Sequence, residues 1–149
     1  LENLLHNLEQ ARSIENRPLP ADFLGELRPY QARGQAWMHF LVDQGFGACL
    51  ADDMGLGKTV QAITVMLEWR RARPGGYPIL IVCPVSVLGN WRRELNRFAP
   101  TLRIVLHHGK GRAETAEDFR TMLAGTDIVL TSYNLLQRDE EIMEGITFD

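Results

Sequence analysis

The stretch LADDMGLGKTVQ, Leu50 to Gln61, decides the fold. It closes on Gly57-Lys58-Thr59, the end of a phosphate-binding loop. The usual spacing, G-x-x-x-x-G-K-[ST], is not fully met, because Asp52 stands at the first glycine position. The working parts remain. Gly55 and Gly57 let the backbone of Asp53, Met54, Gly55, Leu56 and Gly57 turn its N–H groups around a phosphate. Lys58 can neutralise β- and γ-phosphates, and Thr59 offers a hydroxyl to Mg2+. Upstream, the apolar run Phe46 to Ala51 predicts a short strand. Downstream, Lys58 to Arg73 predicts a helix with Val60, Ile63 and Leu67 inward. A loop that runs from a strand into a helix N-terminus favours anions. The bland alternative, a glycine-rich turn with a solvated Lys58, leaves that agreement unexplained.

The pattern continues on both sides. Pro29 to Asp43 predicts a helix with Tyr30, Trp37, Phe40 and Leu41 as its apolar face and Gly45 as its stop. Tyr77 to Val82 (YPILIV) is a continuous apolar strand, as expected where both faces are covered. Ser86 is the expected N-cap of a helix over Val87 to Phe98, with Leu88, Trp91, Leu95 and Phe98 at helical spacing. Strands at Arg103 to Leu106, Asp127 to Leu130 and Ile146 to Phe148 alternate with helices at Ala113 to Leu123 and Tyr133 to Met143. Repeated alternation implies an α/β fold of three layers, a mainly parallel sheet with helices on both faces. Residues 1–25 stand apart as an amphipathic stripe (Leu1, Leu4, Leu5, Leu8) and a connector holding Pro18, Pro20 and Gly25.

Composition sets bounds. The chain has 149 residues, enough for one domain with a core, and 45% hydrophobic and 23% charged residues, ordinary for a soluble protein. Its formal charge of −3 gives no global pull toward nucleic acid, so such contact must come from a local patch. Cys49 and Cys83 lie in apolar runs, which favours a reducing, intracellular setting over a disulfide framework. No apolar run reaches the roughly 18 residues of a membrane span. Both ends, Leu1 and Asp149, read as cut from a longer chain.

Five stretches in order carry a resemblance. ADDMGLGKTVQ resembles the first motif of SWI/SNF-type DNA translocases of helicase-like superfamily two, whose loop replaces the first glycine. LRPYQARGQAWM (Leu27 to Met38), LIVCPVSVLGNWRREL (Leu80 to Leu95), HHGKGR (His107 to Arg112) and DIVLTSYNLL (Asp127 to Leu136) resemble further segments of that family. The match covers Leu27 to Asp149, and its wording is closest to bacterial and archaeal members. It implies an N-terminal RecA-like lobe over 26–149, ATP and Mg2+ as ligands, double-stranded DNA and a second RecA-like lobe as partners, and no membrane. It places the protein in the cytoplasm or nucleoid, or in the nucleus if eukaryotic.

The resemblance also implies roles. Gln31 stands where the family reads adenine, and an amide has the donor and acceptor edges that N6 and N7 require. Pro84 and Ser86, then Thr131, Ser132 and Tyr133, sit where polar side chains and helix N-termini meet DNA phosphates. Plain helix capping is their alternative role. Arg92, Arg93, Lys110 and Arg112 offer local positive charge, or else form a solvated face and loop. Trp91 reads as core rather than as a base-stacking platform. His107 and His108 are candidate DNA contacts and lack a third ligand for a metal.

One part of the machinery is missing. The acidic (Walker B) carboxylate that holds magnesium normally ends an apolar strand, yet YPILIV leads to Cys83-Pro84, RIVL to His107 and DIVL to Thr131-Ser132. In the resembled family that motif follows the position of Asp149, and the arginines of the second lobe follow later. The residues present are therefore expected to hold ATP and not to hydrolyse it efficiently. The strand before the loop is also expected to lack its neighbours. Two other readings stay open: a non-catalytic nucleotide- or DNA-binding interaction module, and an unrelated phosphate-loop NTPase or kinase.

Overall fold

The computed structural model describes residues 14–149. The amphipathic helix expected at 1–12 lies outside them. The described elements are α1 (Pro29–Asp43), α2 (Lys58–Ala72), β1 (Ile79–Cys83), α3 (Val85–Phe98), β2 (Ile104–Leu106), α4 (Ala116–Leu123), β3 (Ile128–Ser132), α5 (Tyr133–Arg138) and α6 (Glu140–Met143), with a 3-10 turn at Gly109–Gly111. The strands form a parallel sheet in the order β1-β3-β2. The chain leaves β1 through α3 to β2 on the far side, and α4 returns it to β3 in the middle. All five residues of β3 are buried, as a central parallel strand requires. Register pairs Ile79 with Ile128 and Ile81 with Leu130, while Ile104 and Leu106 meet the same two residues from the other side. That shared face packs on Val60, Ile63 and Leu67 of α2 and Leu88 and Leu95 of α3. A smaller cluster around Phe119 and Met143 joins α4 to the α5–α6 segment.

Local chemistry sets the boundaries. The α1 helix ends in a Schellman turn: Phe46 N–H reaches Leu41 O at 2.9 Å and Gly45 N–H reaches Val42 O at 2.9 Å, with Gly45 at φ 77°. The α3 helix starts at Val85, one residue before the expected Ser86 cap. Pro84, at φ −58°, sits ahead of the first turn, and Ser86 becomes an exposed second helical residue that caps nothing. Thr115, not the run from Ala113, starts α4, its hydroxyl accepting from Asp118 N–H at 3.1 Å. The single helix expected over 133–143 is two, broken at Asp139. That carboxylate is turned inward, 2.8 Å from His107 Nε2 and paired with Arg112.

Three further expectations change. Residues 46–51 form no strand, and Phe46 to Cys49 are exposed, because among the described residues no strand pairs with them. Residues 146–148 likewise form no strand, although Asp149 N–H reaches Pro78 O at 3.1 Å beside β1. The α1 helix buries Gln31, Gln35, Ala36, Met38 and His39, where Tyr30, Trp37, Phe40 and Leu41 were expected. Its inner face serves polar contacts to α2 and the glycine loop rather than an apolar stripe. The connector packs on the body: Phe23 stacks on Phe98 at 5.8 Å, and Arg17 bridges Asp43 and Glu68. Among the described residues no helix is long and apolar enough to cross a membrane.

Candidate nucleotide-binding site

The site forms where the 52–57 loop enters α2. Gly55 and Gly57 adopt φ 84° and 78°, a left-handed backbone that costs an L side chain about 1–2 kcal/mol. These two turns bring the chain to the start of α2 with Gly57 as its N-cap. The N–H groups of Lys58, Thr59 and Val60 have no partner within the helix, and they carry the positive end of its dipole. Lys58 Nζ donates to Asp52 O at 2.7 Å and to Asp53 O at 2.9 Å, arching over the loop. An ammonium has a third hydrogen free, and both carbonyl contacts are exchangeable for phosphate oxygens. Thr59 is partly exposed, and its hydroxyl makes no hydrogen bond to the described residues. Met54 projects fully into solvent, so Asp53, Met54 and Leu56 can contribute backbone more than side chain.

The N-terminus of α1 grips this loop. Gln31 is buried; its Oε1 accepts from Arg28 N–H at 2.8 Å and its Nε2 donates to Leu56 O at 3.0 Å. Tyr30 Oη donates to the same carbonyl at 3.1 Å. Behind the loop, the fully buried Gln61 donates from Nε2 to Asp52 Oδ2 at 3.1 Å. Sequence reasoning singled out Gln31 but missed Tyr30, Gln61 and the Asp52 side chain. The one available signal was Gly34, a glycine in the middle of α1 that helix propensity disfavours.

A second constellation lies at the C-terminal ends of β1 and β3. Pro84, Val85, Ser132, Tyr133 and Asn134 line a cleft of about 250 Å³. The Ser132 hydroxyl is buried there without a hydrogen-bond partner among the described residues, and Tyr133 is exposed at the rim. Ser86, Arg92, Arg93 and Lys110 are exposed. Three expected DNA contacts are placed differently. Thr131 is fully buried, with its hydroxyl on His107 O at 3.2 Å, because β3 is covered on both faces. His107 is fully buried against Asp139, and Arg112 spends its charge on the same carboxylate. Trp91 is partly buried against the main core, as its helical spacing predicts.

Comparison with known proteins agrees with this geometry. The model of the SNF2-related domain matches residues 30–149. The chain is 44% identical over its whole length to the putative ATP-dependent helicase/translocase YwqA of Bacillus subtilis, and spans 16% of that protein. It is 34% identical over 142 residues to the human chromatin-remodeling ATPase INO80, covering 91% of this chain and 9% of that one. Among solved structures, the Sulfolobus solfataricus SWI2/SNF2 ATPase core in complex with dsDNA matches at a TM-score of 0.73 and 42% identity, over 87% of this chain and 26% of that one. Its fold is that of the RecA-like ATPase core. The glycine loop, the parallel sheet and these matches agree: the chain belongs to the SNF2-related family of SWI/SNF-type ATPases and carries part of the N-terminal RecA-like lobe.

Proposed function

We propose that this lobe holds ATP with Mg2+ as part of a longer motor that couples hydrolysis to movement along double-stranded DNA. The carrying observation is the loop itself. Two left-handed glycines deliver free N–H groups, the α2 dipole and Lys58 to one point. Gln31 is the adenine reader. It lies against the loop, and its amide retains one lone pair and one hydrogen beyond those it now uses, the pair that N6 and N7 of adenine need. Thr59, with its hydroxyl uncommitted, would offer an oxygen ligand to a magnesium ion. That ion would supply charge neutralisation at the phosphates.

The DNA track is the cleft between Pro84 and Tyr133, with Ser86 and Ser132 as phosphate contacts and the exposed Arg92 and Lys110 as the positive charges that serve it. Hydrolysis needs a carboxylate and arginines that no strand end among the described residues supplies, so the acidic motif and a second RecA-like lobe complete the reaction. By itself the chain holds nucleotide without efficient turnover. This assignment places the protein inside the cell, with DNA.

Titration of a labelled duplex with this chain across a salt series tests the DNA surface. Arg92→Ala and Lys110→Ala should each weaken binding equally on unrelated sequences and reduce the salt slope by about one. An unchanged slope, or binding confined to one sequence, would contradict the track.

A further inference from the structure

The loop departs from the usual pattern at Asp52, and the structure shows what replaces the missing glycine. Asp52 is held at two points. Its carbonyl oxygen accepts from Lys58 Nζ at 2.7 Å, and its carboxylate accepts from Gln61 Nε2 at 3.1 Å. Gln61 is itself fixed. It is fully buried in α2, its N–H reaches Gly57 O at 3.3 Å, and its carbonyl accepts the Thr64 hydroxyl at 2.7 Å. Its carboxamide oxygen presses on α1 at Gly34. A Cβ built on Gly34 would overlap that oxygen, while the loop glycine Gly55 has open space around it. Glycine inside a helix is destabilising relative to alanine, so position 34 carries it for a reason beyond local structure. Gln61 supplies the reason.

We infer that Gln61 is a positioning residue for the phosphate loop. It anchors Asp52 from behind, so that the Asp52 carbonyl and Lys58 stay in register, and Gly34 makes the room it needs. Gln61 touches no phosphate. It acts through Asp52, one residue short of the turn that Gly55 and Gly57 complete. The claim rests on the nucleotide-holding role proposed above.

The test compares Mg-ATP affinity and loop amide exchange in the 149-residue chain and four variants. Gln61→Glu keeps the shape but sets a second carboxylate against Asp52. It should lose about tenfold in affinity, as removal of a charge-assisted hydrogen bond implies. Without nucleotide, the amides of 53–57 should exchange faster. Gln61→Met, of similar length but without a donor, should behave alike and carries the test if the glutamate variant does not fold. The swap Asp52→Asn with Gln61→Glu restores a bond of reversed polarity and should recover most of the loss. Lys58→Ala reports on the nucleotide role itself.

If the chain binds Mg-ATP, Lys58→Ala abolishes that binding and both Gln61 variants bind as tightly as the parent, the inference is overturned and the nucleotide role stands. A swap no tighter than Gln61→Glu alone also overturns it. If the parent chain binds no nucleotide, the functional reading fails. Amide exchange then decides for Gln61: unchanged protection in Gln61→Glu overturns the anchoring.

Discussion

Gly55 and Gly57 share a backbone conformation but not an environment, so replacing each with alanine separates strain from contact. At Gly55 the added methyl meets nothing within 4 Å, and the cost is the left-handed backbone alone, about 1–2 kcal/mol. At Gly57 the same strain applies, but the methyl overlaps Gln31 Nε2 and comes within 3.2 Å of Val60 Cγ1. Gln31 must then leave its place and lose its bonds to Leu56 O and Arg28 N–H, together about 2 kcal/mol more. Gly57→Ala should therefore cost about 3–4 kcal/mol against about 1–2 for Gly55→Ala. For a chain of this size that is a fall in Tm of about 10 °C against about 4 °C. Urea and thermal unfolding measure both. In a Gln31→Ala background the extra cost of Gly57→Ala should vanish, a coupling of about 2 kcal/mol. Equal losses at the two glycines, or no coupling to Gln31, would refute the proposed grip of α1 on the loop.

Two other buried groups give independent predictions. Asp139 holds His107 and Arg112 where α5 and α6 break, so Asp139→Ala should cost about 3 kcal/mol in urea unfolding; a loss under 1 kcal/mol would contradict a structural role for that carboxylate. His39, 2.8 Å from Glu68, is held below the ordinary imidazole value of 6.5 by burial, with Glu68 pulling upward and Arg17 downward. The unfolded chain therefore takes up the proton first. The stability contributed by neutral His39 is present above pH 6.5 and is lost as pH falls through the lower folded value. The unfolding midpoint should drop between pH 7 and pH 5, and His39→Gln should flatten that drop; an equal drop in the variant would contradict it.

Much of this was legible in the sequence because its cues are local. The run YPILIV can satisfy both faces of a sheet only as a buried strand, and Val60, Ile63 and Leu67 at helical spacing dictate the inner face of α2. The loop glycines announced their own backbone. What escaped the sequence depends on partners distant in the chain. Residues 46–51 have the composition of a strand, but a strand exists only with a neighbour to bond. Asp139 looked like an ordinary polar position in a helix until His107 and Arg112, some thirty residues earlier, claimed its carboxylate. Thr131 read as a polar strand end, while its place beside β2 put its hydroxyl on the His107 carbonyl. The buried face of α1 was misread because Gln31, Gln35 and His39 are polar, and only the loop and Glu68 explain why two of these turn inward.

The central claim is that the 52–59 loop holds ATP and that Gln31 reads its base. Calorimetric titration of this chain with Mg-ATP and Mg-GTP, repeated on Lys58→Ala, tests both at once. The account predicts binding of ATP in clear preference to GTP, lost in the Lys58 variant while its fold is unchanged. Equal affinity for the two nucleotides would contradict the role of Gln31, and ATP affinity undiminished in Lys58→Ala would contradict the site.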